Sequence, residues 1–216
     1  MRLITDGVFR GLPRNHFGTL LLDPPWRYQN FTEEPGDRAP PYPTMPIEEI
    51  KALPLVDLVR RDCWLHCWTS GPYLAETVAC IRGWGFRYSS ISFTWVKLKR
   101  TGEGFHKGLG KTTRKNTELV LLAKIGSPPI LSRPDELLVT EDPDHEVFIS
   151  RLREHSRKPD EIRDRIAAMC GGPRLELFAR QRAKGWHAWG NQTNKFAPMI
   201  GANSDENVQG LLAAEA

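Results

Sequence analysis

The amino-acid sequence predicts an α/β domain, a mostly parallel sheet with helices on both faces. Three observations carry that expectation. Short apolar runs alternate with amphipathic helical patterns along most of the chain. The helical segments bear their own start and stop residues. At 216 residues, with 40% hydrophobic and 26% charged residues, the chain has material for one core and little for a second, which excludes coiled coil, collagen and full-length disorder.

In chain order, the first strand is 19–22, inside the run LLLDPPW, which ends on Asp23-Pro24-Pro25-Trp26. Residues 27–45 resist regular structure, and a short helix follows at 47–53. The second strand, 63–68, reads CWLHCW. Its period of two turns His66 away from Cys63 and Cys67, so no zinc site is expected there, nor any metal elsewhere. The next helix, 71–82, has Ser70 as N-cap, Pro72 in its first turn, Leu74, Val78 and Ile81 on one face and Gly83 as its stop. Strands at 91–97 and 119–123 flank an irregular basic stretch, and an acidic stretch at 134–146 precedes a strand at 147–152. In KPDEIRDRIAAMCGG, Pro159, Asp160 and Glu161 open a helix where its dipole favours negative charge. Ile162 and Ile166 line its buried face and Gly171-Gly172 end it. Strands at 175–179 and 186–189 complete the sheet. The expected division is one domain over 1–192 and a poorly ordered tail over 193–216.

The four cysteines are too few and too irregular for a disulfide framework, so they are expected reduced and buried. The first residues lack an apolar signal core and no run reaches membrane-span length, so the expected location is cytoplasmic, with no membrane partner.

Charge is unevenly spread. The chain carries 30 Lys plus Arg against 26 Asp plus Glu, a net of +4. Residues 97–115 hold Lys97, Lys99, Arg100, Lys107, Lys111, Arg114 and Lys115 against one acid, a net of +6 in nineteen residues. A solvated surface loop is the ordinary fate of such a run. Interleaved glycine and Phe105, beside the expected reactive edge of the sheet, favour contact with nucleic-acid phosphates.

That edge is marked by the tetrad at 23–26. In an open α/β sheet, ligands bind outside the carboxyl ends of the strands. Two consecutive prolines remove both amide donors, leaving carbonyl acceptors next to a carboxylate acceptor. Such a rigid acceptor corner, with Trp26 beside it, suits a flat ring bearing an NH2 group, and adenine is one. A turn with Asp23 as a cap and Trp26 in the core explains the same residues equally well.

Further blocks break the tie. The tetrad, Tyr42-Pro43-Thr44-Met45, Trp95-Val96-Lys97, His155-Ser156-Arg157-Lys158-Pro159-Asp160-Glu161-Ile162, Glu176-Leu177-Phe178-Ala179-Arg180 and Gly190-Asn191-Gln192 occur in this order. In them the sequence resembles the MT-A70 family of S-adenosylmethionine-dependent adenine-N6 methyltransferases, from about Asp6 to Gln192. The resemblance implies a Rossmann-like methyltransferase fold whose catalytic motif, Asp23, Pro24, Pro25 and Trp26, precedes the main cofactor-binding strand. That order accounts for the missing GxGxxG. It further implies S-adenosylmethionine as methyl donor, with Lys158 meeting its carboxylate and Arg180, Asn191 and Gln192 holding its ribose and adenine. Asp6 joins that set only through a one-residue gap. Ala183 stands where some members carry a polar ribose contact. Tyr28 and Tyr42 are candidate additional walls for the base.

The implied reaction is methyl transfer to N6 of adenine in nucleic acid, DNA favoured over RNA for this compact form. A non-catalytic nucleic-acid-binding subunit is the contrasting expectation, disfavoured because the tetrad, Lys158 and Asn191-Gln192 are all retained. The oligomeric state stays open between monomer and homo- or heterodimer.

Overall fold

The structure, a computed structural model, describes residues 1–27, 43–108, 110, 112–131, 146–154 and 156–196. Its strands are β1 (Phe17–Leu22), β2 (Val59–Thr69), β3 (Arg87–Leu98), β4 (Thr117–Ile125), β5 (Val147–Arg151), β6 (Arg174–Leu177) and β7 (His187–Trp189). Its helices are α1 (Ile47–Lys51), α2 (Leu74–Gly83) and α3 (Asp160–Met169). The strands form one sheet in the order β5-β3-β4-β2-β1-β6-β7. Pairing is parallel except where β4 runs against β2 and β3. All seven expected strands are present.

Two apolar layers cover the sheet. Leu20 and Leu22 of β1, with Cys63, Leu65 and Cys67 of β2, face a core closed by Ile50 of α1 and Ile81 of α2. Leu21, Trp64 and Trp68 face the other core, closed by Ile162 and Ile166 of α3. A register shift between Phe17 and Thr19 brings Phe17 onto the face of Leu20 despite its odd spacing. The period of two also sends His66 to the side opposite Cys63 and Cys67, where its Nε2 lies 3.5 Å from Cys170 Sγ and its Nδ1 3.2 Å from Ser92 Oγ. Burial pushes the imidazole down to about 3. All four cysteines are free and buried, and burial raises their thiols, Cys80 to about 11.

Helix α2 departs from expectation in its phase. Its first turn, Gly71–Tyr73, is a 3-10 turn, and Ser70 makes no side-chain cap. The tighter turn rotates Leu74 outward, 38% exposed, while Thr77, Cys80 and Ile81 are buried. Thr77 is tolerated inside because its hydroxyl donates to the Tyr73 carbonyl at 2.7 Å. The stop is Gly85, at φ +81, two residues beyond Gly83.

The basic stretch is more regular than expected. Lys99 N–H donates to the Gly104 carbonyl and Gly108 N–H to the Lys115 carbonyl, extending the β3–β4 hairpin. Phe196, beyond the expected domain end, is buried with the Arg157 and Arg180 guanidinia 4.8 and 5.0 Å from its ring. The acidic stretch lies outside the described residues apart from Glu146. No described helix is long and apolar enough to cross a membrane.

Candidate active site

The strand order reverses at β1, which has β2 on one side and β6 on the other. A cleft opens at the carboxyl end of this switch point. Asp23 enters it from the end of β1, Thr69 and Ser70 from β2, Phe178 from β6 and Gly190 from β7. Because β4 is antiparallel, its first residues reach the same edge and contribute Glu118. Ser156 and Lys158 arrive from the segment before α3. Phe178 and Ser156, both lining the cleft, hold left-handed backbone at φ 61 and 59, conformations that cost a non-glycine residue roughly 1–2 kcal/mol.

The charged centre is a row of four groups. Lys158 Nζ lies 3.1 Å from Asp23 Oδ1 and 3.0 Å from Glu118 Oε2. The other Glu118 oxygen takes Lys97 Nζ at 2.5 Å. Burial pushes the Asp23 carboxyl above the usual carboxylate range; Lys158 opposes this and Glu118 reinforces it. Burial acts the same way on Glu118, but the charges and hydrogen bonds of Lys158 and Lys97 override it and hold that carboxyl down at about 2. Between two carboxylates, Lys158 is held as an ammonium well above its ordinary range despite burial.

The tetrad is stiffened from within. Trp26 N–H donates to the Pro24 carbonyl at 2.9 Å, and Met45 N–H to the Pro25 carbonyl at 2.9 Å. One lone pair of each carbonyl is therefore already engaged. Trp26 is 6% exposed and stacks on Tyr73 at 5.6 Å and 11°, while the Tyr73 hydroxyl donates to the Arg27 carbonyl at 2.5 Å. Trp26 is therefore a core residue that also borders the cleft.

At the far end the cleft is lined by Arg180, Asn191 and Gln192. Gly190 permits this approach, since a Cβ there would lie 2.9 Å from both the backbone N and O of Ala179. Behind Arg180, the nearly buried Gln181 donates to Asp160 Oδ1 at 2.5 Å. Asp160 also accepts from Arg153 at 2.7 Å and from Arg163, and Arg163 reaches Glu176 at 2.9 Å. Asp160 is held at about 2: burial raises it, but the arginines prevail. This network pins the start of α3 to β6. Ala183 packs against the α3 core.

Of the sequence-predicted residues, the structure brings together Asp23, Pro24, Pro25, Trp26, Lys158, Arg180, Asn191 and Gln192. Asp6 is exposed and is not part of the cleft lining; its segment packs on β7 through Phe9 against Trp189 instead. Lys97 turns inward to Glu118, whereas Lys99, Arg100, Lys107, Arg114 and Lys115 are exposed. Lys111, Tyr28, Tyr42 and His155 lie outside the described residues. Sequence reasoning missed Glu118 and Tyr73. A signal for Glu118 was available, as it is the acid closing the basic stretch where a strand begins. Among the described residues no cluster of His, Cys, Asp or Glu is arranged to hold a metal ion.

The reversed sheet order with a cleft at its switch point is that of a Rossmann-like α/β fold, and the family match makes it the methyltransferase form of that fold. The MT-A70 family profile matches residues 17–192, and the chain belongs to that family. The chain is 28% identical to the type II methyltransferase M.MunI of a Mycoplasma species, over 94% of this chain and 89% of the relative. It is also 28% identical to the mouse N(6)-adenine-specific methyltransferase METTL4 and 29% identical to the N6-methyladenosine RNA methyltransferase MTA1 of Pyricularia oryzae. These matches cover 85% and 84% of this chain but 39% and 48% of the relatives.

Proposed function

We propose that the protein transfers a methyl group from S-adenosylmethionine to N6 of adenine in nucleic acid, DNA in preference to RNA. The observation that carries this reading is the Asp23 carboxylate, held by Lys158 at 3.1 Å beside the Pro24 carbonyl in the switch-point cleft. The preference for DNA is supported by the near full-length match to the Mycoplasma type II methyltransferase, against 48% of the fungal RNA methyltransferase.

The donor set suits the cofactor. Arg180, Asn191 and Gln192 offer donors and acceptors for ribose hydroxyls and a purine edge, and Gly190 lets their segment pack closely against the Ala179 backbone. Lys158 uses two of its three N–H donors on Asp23 and Glu118, which leaves one for a carboxylate. When bound, S-adenosylmethionine supplies an electrophilic methyl on its sulfonium.

The chain's own residues prepare the nucleophile. The adenine amine is weak because its lone pair is delocalised into the ring. The second oxygen of Asp23 and the free lone pair of the Pro24 carbonyl each accept one amine hydrogen, drawing the nitrogen towards tetrahedral geometry and freeing the lone pair. Trp26, backed by Tyr73, walls the base; base–aromatic contacts of this kind contribute roughly 1–3 kcal/mol. Positioning and acceptor electrostatics at the developing positive nitrogen do the rest, and the excess proton leaves to solvent. A duplex target must first be flipped from its stack, at a cost of a few kcal/mol.

Asp23→Asn tests this assignment. Asparagine keeps the shape but presents an amide donor to the amine, so methyl transfer should fall by about 10² to 10³ or more. Cofactor affinity, followed by titration calorimetry, should stay close to that of the parent. An Asp23→Asn or Asp23→Ala protein with normal turnover overturns the mechanism.

A further inference from the structure

We infer that Lys97 is a positioning residue for the reaction, holding the Asp23 carboxylate through Glu118 and Lys158, and not a phosphate contact like its neighbours on the basic hairpin. The inference rests on the proposed methyl transfer and concerns the same site.

Lys97 stands apart from the other basic residues of its segment. Its side chain is only 16% exposed, whereas Lys99, Arg100, Lys107, Arg114 and Lys115 are open to solvent. Its backbone is clamped on both sides: its N–H donates to the Asn116 carbonyl and its carbonyl accepts from His106 N–H, both at 2.8 Å. The ammonium lies 4.9 Å over the buried Trp95 ring and 2.5 Å from Glu118 Oε1. A group so enclosed is poorly placed to follow a polyanion and well placed to fix one carboxylate.

From that carboxylate the row continues as Glu118, Lys158 and Asp23, with contacts of 3.0 and 3.1 Å. Signs alternate and the four charges cancel. Each Glu118 oxygen has its own lysine, so Lys158 is not drawn wholly to Glu118 and keeps its contact with Asp23. Without Lys97, two carboxylates share one ammonium, the row carries a net negative charge, and Glu118 competes harder for Lys158. Asp23 then loses support for its ionised, acceptor form.

Other described groups also face this row. Asp23 is also felt by Arg180 beyond β6, Glu176 on β6 and the Cys67 thiol on β2. His106, across the hairpin, faces Lys97. None of these replaces Lys97 at Glu118 Oε1.

The test uses the full chain with Lys97→Met and Lys97→Arg, both checked for a cooperative thermal transition well above the assay temperature, and three readouts. Carboxylate titration by 13C NMR should show the Glu118 midpoint rising by about one unit or more in Lys97→Met and returning towards the parent in Lys97→Arg. The acid limb of kcat/KM should rise by a similar amount. The slope of log affinity for nucleic acid against log salt should not change. A phosphate contact predicts the reverse: the slope falls by about 0.9 and both titrations stay in place. That result overturns the inference, as does a Lys97→Met protein unchanged in all three. If the Glu118 midpoint moves but the parent protein methylates no nucleic acid, the functional reading fails and the role in catalysis falls with it, while the charge row itself stands.

Discussion

Replacing Glu118 with Gln keeps the side-chain shape but removes the charge that Lys97 and Lys158 both face. The consequence for stability can be worked from the structure. Glu118 is held at about 2 against an ordinary 4.5, a difference of about 2.5 units that corresponds to roughly 3 kcal/mol favouring the folded state at neutral pH. With its side chain 20% exposed, solvent screening trims this to about 2–3 kcal/mol. The sign follows from the depressed value. The contribution is fully present above about pH 4.5 and is lost as pH falls towards 2. The difference in unfolding free energy between parent and Glu118→Gln should therefore be about 2–3 kcal/mol at pH 7 and less than half that at pH 3. Urea unfolding at a series of pH values measures it directly. A difference below about 0.5 kcal/mol, or one that does not shrink on acidification, would refute the charge-row reasoning.

Two further outcomes test the cleft and the hairpin. Gly190→Ala puts a Cβ 2.9 Å from the Ala179 backbone, an overlap that costs about 1–3 kcal/mol if the strand ends must move apart; calorimetry should show S-adenosylmethionine affinity falling about tenfold or more, since Asn191 and Gln192 shift with it. Neutralising exposed Lys107, Arg114 and Lys115 together should lower the salt slope of nucleic-acid binding by up to about 2.7 while cofactor affinity holds; an unchanged slope makes the hairpin a solvated surface.

Much of this architecture is legible in the amino-acid sequence, and the reasons differ by element. The strands are legible because buried parallel strands read as short apolar runs, and CWLHCW carries its two faces in its alternation. The tetrad is legible as an acceptor corner at a strand end, but its residues fit a plain turn equally well, and only the further blocks in family order separate the two. What stays hidden depends on partners distant in sequence. Leu74 has the spacing of a core position, yet the 3-10 turn at Gly71–Tyr73, which brings Tyr73 under Trp26, rotates it outward. Lys97 reads as one more cation of a basic run. Only the antiparallel pairing of β3 with β4 brings it to Glu118, and only β4's direction brings Glu118 to Asp23's edge. Asp6 matches by similarity alone, with no local pattern to say where its segment packs. Phe196 lies past the last recognisable block, and the Arg157 and Arg180 guanidinia that meet its ring are distant from it in sequence.

The central claim is a methyl transfer to adenine N6 that depends on the Asp23 carboxylate. Purified parent and Asp23→Asn proteins should be incubated with labelled S-adenosylmethionine and matched single-stranded DNA, duplex DNA and RNA, and the digested nucleosides identified by mass spectrometry. The account predicts N6-methyladenine from the parent, most from a DNA substrate, and essentially none from Asp23→Asn. N4-methylcytosine as the product, no methylated nucleoside from any substrate, or equal product from Asp23→Asn would contradict it.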